Sequence, residues 1–212
     1  MGYQRFLDVH LGKNFNEATF KRDVAPQQQR QEGKVEAYKS IIVDELSVSR
    51  DITLTELSES IKWVCEANSE KGGKLRINSH GNERGVLSTG TQGSGISAEK
   101  FAAYLVKHAL TSAAIGAPGL TTINLACCFA ASGPQKDWMI KRFADELKLP
   151  KVKVTGADAI TRMKNGVMQV KYETYLPPAS GAYVPPQRRQ MTTVEEQFKT
   201  STYKKTYIYG DS

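Results

Sequence analysis

Two strand-like stretches in this chain each end in residues that can do chemistry, and only one crossover separates them. Lys74 to Ser79 (KLRINS) reads as a strand that delivers His80 and Gly81 into a glycine-rich loop. Thr121 to Ala126 (TTINLA) reads as another, running straight into the adjacent thiols Cys127 and Cys128. Between them Ser97 can cap a helix with Phe101, Tyr104, Leu105, His108 and Ala109 on one face. A right-handed strand–helix–strand crossover makes the two strands parallel within one sheet, so both strand ends fall on the same edge. In such sheets ligands and chemistry gather beyond the carboxyl ends of the strands. The His-Gly and Cys-Cys pairs are expected to meet there.

The flanking sequence continues the alternation. Val35 to Asp44 contains the β-branched run Ile41 to Val43, read as the first core strand. Thr53 to Asn68 places Leu54, Leu57, Ile61, Val64 and Cys65 at helical spacing, with Thr53 and Glu56 suited to a capping box. Gln135 to Leu147 predicts a third helix with Met139, Phe143 and Leu147 on one stripe, and Lys151 to Thr155 a fourth strand. This order predicts an α/β fold, a three-layer αβα sandwich around a mainly parallel sheet. Ala159 to Tyr175 predicts a β-hairpin flap turning at Lys164 to Gly166. Residues 1–34 read as an N-terminal extension, 35–176 as the catalytic domain, and 177–212 as a Pro-rich linker and tail that docks as an edge strand or stays mobile.

Composition narrows the function classes. A length of 212 residues suits one domain with a real core. No apolar run approaches the roughly 20 residues a membrane-spanning helix needs, so no membrane partner is expected. Three cysteines, two of them neighbours, make no disulfide framework and point to a reducing compartment. The cytoplasm is the expected location, or a host cytosol reached without a conventional signal peptide. His10, Cys65 and His108 lack metal-ligand spacing, the 90–95 glycines lack the Lys-Ser/Thr of a phosphate loop, and no nucleic-acid motif accompanies the net charge of +7. Positive charge does concentrate at Lys151, Lys153, Arg162, Lys164 and Lys171, with Asp158 as the lone acid among them. The group reads either as a polyanion patch or as the solvated face of a lysine-bearing hairpin.

A cysteine nucleophile needs thiolate character and a base, and histidine is the usual base near neutral pH. His80 fills that role as general base and acid. Cys128 or Cys127 would form the thioester acyl-enzyme, and the Gly81 N–H, unobstructed by a Cβ, can donate to the oxyanion.

An apolar strand ending in His-Gly, followed by one ending in a small residue and Cys, resembles the caspase-like (clan CD) cysteine peptidases. His80 lies 48 positions before Cys128, and caspases place the histidine about 50 residues upstream of the cysteine. In motif order the chain looks most similar to the self-processing cysteine-protease domains of large bacterial toxins, over roughly Lys74 to Tyr175. The caspase pentapeptide around the cysteine is absent. The resemblance implies a Cys-His dyad without an obligatory third residue, acting on a protein or peptide substrate, in an effector or self-processing protease. It implies no required cofactor, but an inositol-phosphate activator held by lysines near the flap. Spacing to Ser132 and Phe143 matches the toxin domains with Cys128 as nucleophile, whereas Ala126-Cys127 matches caspases, legumains and clostripain. Two rival readings remain: a Cys-His acyltransferase or deamidase, and a catalytically inactive caspase-like binding or effector scaffold.

Overall fold

The computed structural model describes residues 2–12, 34–43, 48, 54–68, 70–81, 86–88, 95–110, 119–134, 138–164, 167–175, 185 and 189–210. Numbered in chain order, the central sheet has six strands in the order β12-β8-β7-β3-β1-β2. Five are mutually parallel: β1 (Arg5–Leu11), β2 (Ala37–Val43), β3 (Gly73–Asn78), β7 (Leu120–Ala126) and β8 (Lys153–Ala157). The sixth, β12 (Lys204–Ile208), closes one edge antiparallel to β8.

Strand alternation gives the sheet two unlike faces. Leu7, Val9 and Leu11 of β1, Leu75 and Ile77 of β3, Ile123 and Leu125 of β7 and Val154 of β8 all join one buried apolar cluster. Into that cluster pack α1 (Thr55–Cys65), α2 (Ala98–His108) and α3 (Met139–Leu147), through Leu57, Ile61, Phe101, Leu105, Ile140 and Phe143 among others. Each of these large side chains is 0–1 % exposed, and burying one stabilises the fold by about 1.5–3 kcal/mol. The described helices thus cover a single face; a second helical layer is not among the described residues.

The intervening positions build the other face. There Asp8 and His10 of β1 stand beside Lys74, Arg76 and Asn78 of β3 and Thr122 and Asn124 of β7, in register. Over this face lies a three-stranded antiparallel flap of β9 (Ile160–Lys164), β10 (Val167–Tyr175) and β11 (Met191–Gln197), in the order β11-β10-β9. The flap has its own small core of Ala157, Ala159, Met168, Val170 and Phe198. Lys164 pairs with Val167 as the hairpin pattern predicts; Asn165 and Gly166 lie outside the described residues.

Several boundaries differ from the sequence reading. The segment read as an extension supplies β1, an interior strand, and the segment read as linker and tail supplies β11 of the flap, while its end docks as the edge strand β12, one of the two outcomes expected for it. Asp8 and His10 gave β1 a polar look, yet both are fully buried. The apolar run Ile41 to Val43 belongs to β2 at the sheet edge, where Ile42 is 45 % exposed, so it is not the first core strand. Ser97 caps α2 by accepting the Lys100 N–H, as expected. Helix α1 has Leu54 at its N-cap position with no side-chain cap; the Leu54 N–H donates to the Tyr104 phenol instead, and Thr53 lies outside the described residues. Among the described residues no helix is long and apolar enough to cross a membrane.

Candidate active site

Parallel pairing of β3 with β7 sets Asn78 opposite Ala126. Two further residues on each chain lead to His80 and Cys128, beyond the same sheet edge. The Ser79 N–H donates to the Ala126 carbonyl at 3.4 Å, so the two chains stay together past the last ladder pair. His80 and Gly81 form the short strand β4, which begins a small antiparallel sheet with β5 (Val86–Ser88) and β6 (Gly95–Ser97).

Gly81 approaches the cysteine pair closely. A Cβ built on it would stand 2.5 Å from the Cys128 carbonyl oxygen, 2.9 Å from the Cys127 Cβ and 3.0 Å from the Cys127 Sγ. Only a residue without a side chain fits there, and that contact holds the His80–Gly81 turn against the two cysteines. His80 itself is exposed, and its ring has no hydrogen-bond partner among the described residues. Asn82 and Glu83, the neighbouring polar residues, lie outside the described residues.

The two sulfurs have different surroundings. Cys127 continues the odd-numbered apolar series of β7; it is 1 % exposed and its Sγ lies 3.6 Å from the Met139 Sδ at the start of α3. Burial, with a smaller contribution from Cys128, pushes its thiol well above the ordinary range. A thiol so disposed is a poor source of thiolate. Cys128 continues the even-numbered polar series and is partly exposed. Its Sγ accepts the Thr161 N–H at 3.4 Å, lies 4.0 Å from the Thr161 hydroxyl, and its S–H can donate to the Thr161 carbonyl at 3.6 Å. Phe129, immediately after it, has a left-handed φ of 57°, and the Phe129 and Ala131 N–H groups bond to Ala159 and Ala157. The cysteine turn is therefore tied to the start of the flap.

The cations nominated from sequence do not form one site. Arg162 and Lys164 on β9 both pair with Glu195 of β11, at 2.5 and 3.6 Å, and Lys171 stands opposite the same glutamate in the β10–β11 register. Lys151 and Lys153 lie apart, in the turn before β8 and on β8, and both are exposed. None of the five lines the cavity on the polar face of the sheet.

That cavity, about 560 Å³, lies on the polar face of the sheet beneath the flap residues Val167, Met168 and Phe198. Among the described residues five cations line it (Lys34, Lys74, Arg76, Lys199 and Lys204) and no carboxylate does. Arg76 is anchored from behind: its Nε and Nη2 each bond an Asp8 oxygen at 2.5 Å, and the Tyr38 phenol and Asn78 amide also donate to that carboxylate. Burial alone would raise the Asp8 carboxyl, but the Arg76 charge and hydrogen bonds, with His10 and Tyr38, hold it below its ordinary range. The signal that reveals this site in the sequence is the alternation in KLRIN: Lys74, Arg76 and Asn78 share one face of an interior strand, a place where cations need partners.

Compared with known proteins, the chain matches no family model and no curated relative.

Proposed function

We propose that this chain is a caspase-like cysteine endopeptidase of αβα type, with Cys128 as nucleophile and His80 as general base and then general acid. The observation that carries the reading is the β3–β7 register together with the Gly81 contact, which brings a histidine and a partly exposed thiol to one sheet edge. His80 takes the proton of Cys128, the sulfur attacks the scissile carbonyl, and a thioester forms as the amine leaves with the proton from His80. The Thr161 N–H and carbonyl, both in contact with the Cys128 sulfur, hold it at the start of the flap. Backbone N–H groups at Gly81 and at the cysteine serve the oxyanion. Water then hydrolyses the thioester with His80 again as base. Burial of Cys127 against α3 supports Cys128 over it.

The polyanion activator implied by the resemblance belongs, on this reading, to the cavity under the flap, not to the hairpin lysines. Its five cations, the lack of carboxylates among the described residues, and roofing by β10 and the turn after β11 fit a multiply phosphorylated ligand, and β9 of the same flap touches the nucleophile.

Labelling with an iodoacetamide probe tests the dyad. Cys128 should react fast in the wild type and slowly in His80→Ala, with peptide cleavage lost in parallel. Two equally inert thiols in the wild type would sink the proposal.

A further inference from the structure

Lys74 occupies an unusual position among the cavity cations. It sits on β3 with Arg76 two residues on, so both side chains enter the same space from the floor. Arg76 has a carboxylate behind it; Lys74 has none within ion-pair distance among the described residues, because Asp8 is bound by the Arg76 fork. The Lys74 ammonium lies over the Phe6 ring at 4.7 Å and the Tyr3 ring at 5.5 Å. These π faces stabilise a cation only modestly when a full counterion is lacking. An ammonium largely shielded from water, with no anion beside it, either recruits one or gives up its proton more readily.

The charged and titratable groups around it are Tyr3 and Asp8 from the β1 side, Arg76 from β3, Lys204 from β12, and Lys34 and Lys199 from the segments bordering β2 and β11. Burial, followed by repulsion from Arg76, outweighs the distant Asp8 and, with Lys204 and Lys199, brings the Lys74 amine down to about 8. Its charge is thus set by what else is in the cavity.

Resting on the polyanion reading above, we propose that occupancy of the cavity is proton-linked through Lys74: the amine takes up a proton as a polyphosphate arrives, so the site fills readily at neutral pH and poorly in alkali. Phosphate oxygens supply the counterion that Asp8 does not, and the bound ligand keeps Lys74 protonated to higher pH than the empty cavity does. The direction follows from linkage: the ligand prefers the protonated form, so affinity is fully present below about pH 8 and falls as pH rises through that value. Arg76 cannot substitute for this behaviour, because a guanidinium keeps its charge throughout the range.

Calorimetry with inositol hexakisphosphate at pH 7, 8 and 9, in buffers of different ionisation enthalpy, tests the inference on wild type, Lys74→Arg and Lys74→Gln. Ligand protonation and the other lysines contribute alike to all three proteins, so the difference isolates residue 74. Wild-type affinity should fall about tenfold more steeply than that of Lys74→Arg between pH 7 and pH 9, and wild type should absorb about half a proton more at pH 8. Lys74→Gln, a permanently neutral side chain, should bind weakly at pH 7 and approach wild type at pH 9. If Lys74→Gln binds more weakly than wild type by the same factor at every pH, the proton linkage is wrong while the cavity assignment stands; if all three proteins bind with the same affinity and slope, both fall. Failure of the wild type to bind at any pH overturns the cavity assignment and the linkage with it.

Discussion

The two faces of the central sheet are made by the same strands, yet one excludes charge and the other collects it. On the helix side, Leu75, Ile77, Ile123 and Leu125 are packed by three helices and depend on shape. On the flap side, Asp8, Arg76, Asn78 and Asn124 are as deeply buried but held by directed hydrogen bonds. The alternation runs beyond β7: Cys127 falls on the packed side and Cys128 on the polar side. Two adjacent residues with the same functional group thereby receive opposite roles, one as core filler and one as the proposed nucleophile.

Substitutions can break this contrast, and the largest expected effect is at the polar end of β7. Cys128→Ala should lower peptide cleavage on the order of a thousandfold or more, with the melting temperature little changed. Cleavage that survives in Cys128→Ala and disappears in Cys127→Ala would reverse the assignment of the faces.

Next comes the floor of the polar face. Asp8→Ala leaves the Arg76 guanidinium buried without its carboxylate, which should cost about 3–5 kcal/mol in denaturant unfolding. The pH dependence sharpens the point. Asp8 titrates below its ordinary value of 3.8 in the fold, so its contribution is present above that pH and lost as pH falls through the lower, folded value. The stability gap between wild type and Asp8→Asn should hold steady above about pH 5 and narrow below pH 4. A gap independent of pH would mean that the Asp8 charge is not what holds Arg76.

A smaller effect is expected where the two strand ends touch. Gly81→Ala drives a Cβ into the Cys128 carbonyl, and moving the histidine turn by an ångström should reduce kcat/KM by about a hundredfold. Cleavage unchanged in that variant would show that the His80 turn need not lie against the cysteines. The smallest effect belongs to the packed side: Cys127→Ala should cost about 1 kcal/mol of stability and leave iodoacetamide labelling at Cys128 intact.

Much of this arrangement is legible in the sequence. The order of strands and helices, the cap at Ser97, the stripe Met139–Phe143–Leu147 and the meeting of two strand ends follow from periodicity and crossover handedness. What escapes the reading has a common physical cause: polar residues buried in regular structure look like surface. RFLDVHL carries Asp8 and His10 and reads as an extension, though it is an interior strand; KLRIN is legible as a strand, but the carboxylate that meets Arg76 and the Phe6 ring under Lys74 come from β1. The hairpin lysines were the opposite case, conspicuous in sequence but drawn toward Glu195, 24 residues beyond Lys171.

The cavity draws its walls from Tyr3 and Lys204, residues 201 positions apart, because β1 lies inside the sheet and β12 closes its edge. Contacts of such long sequence separation carry the largest loop-closure entropy in the fold. A folding intermediate holding only the helix-covered side would display the cysteine strand before it owned a complete anion site. A ligand that fits the finished cavity therefore reports on completion of the fold, and a peptidase answering to it would stay quiet until its last strand had docked.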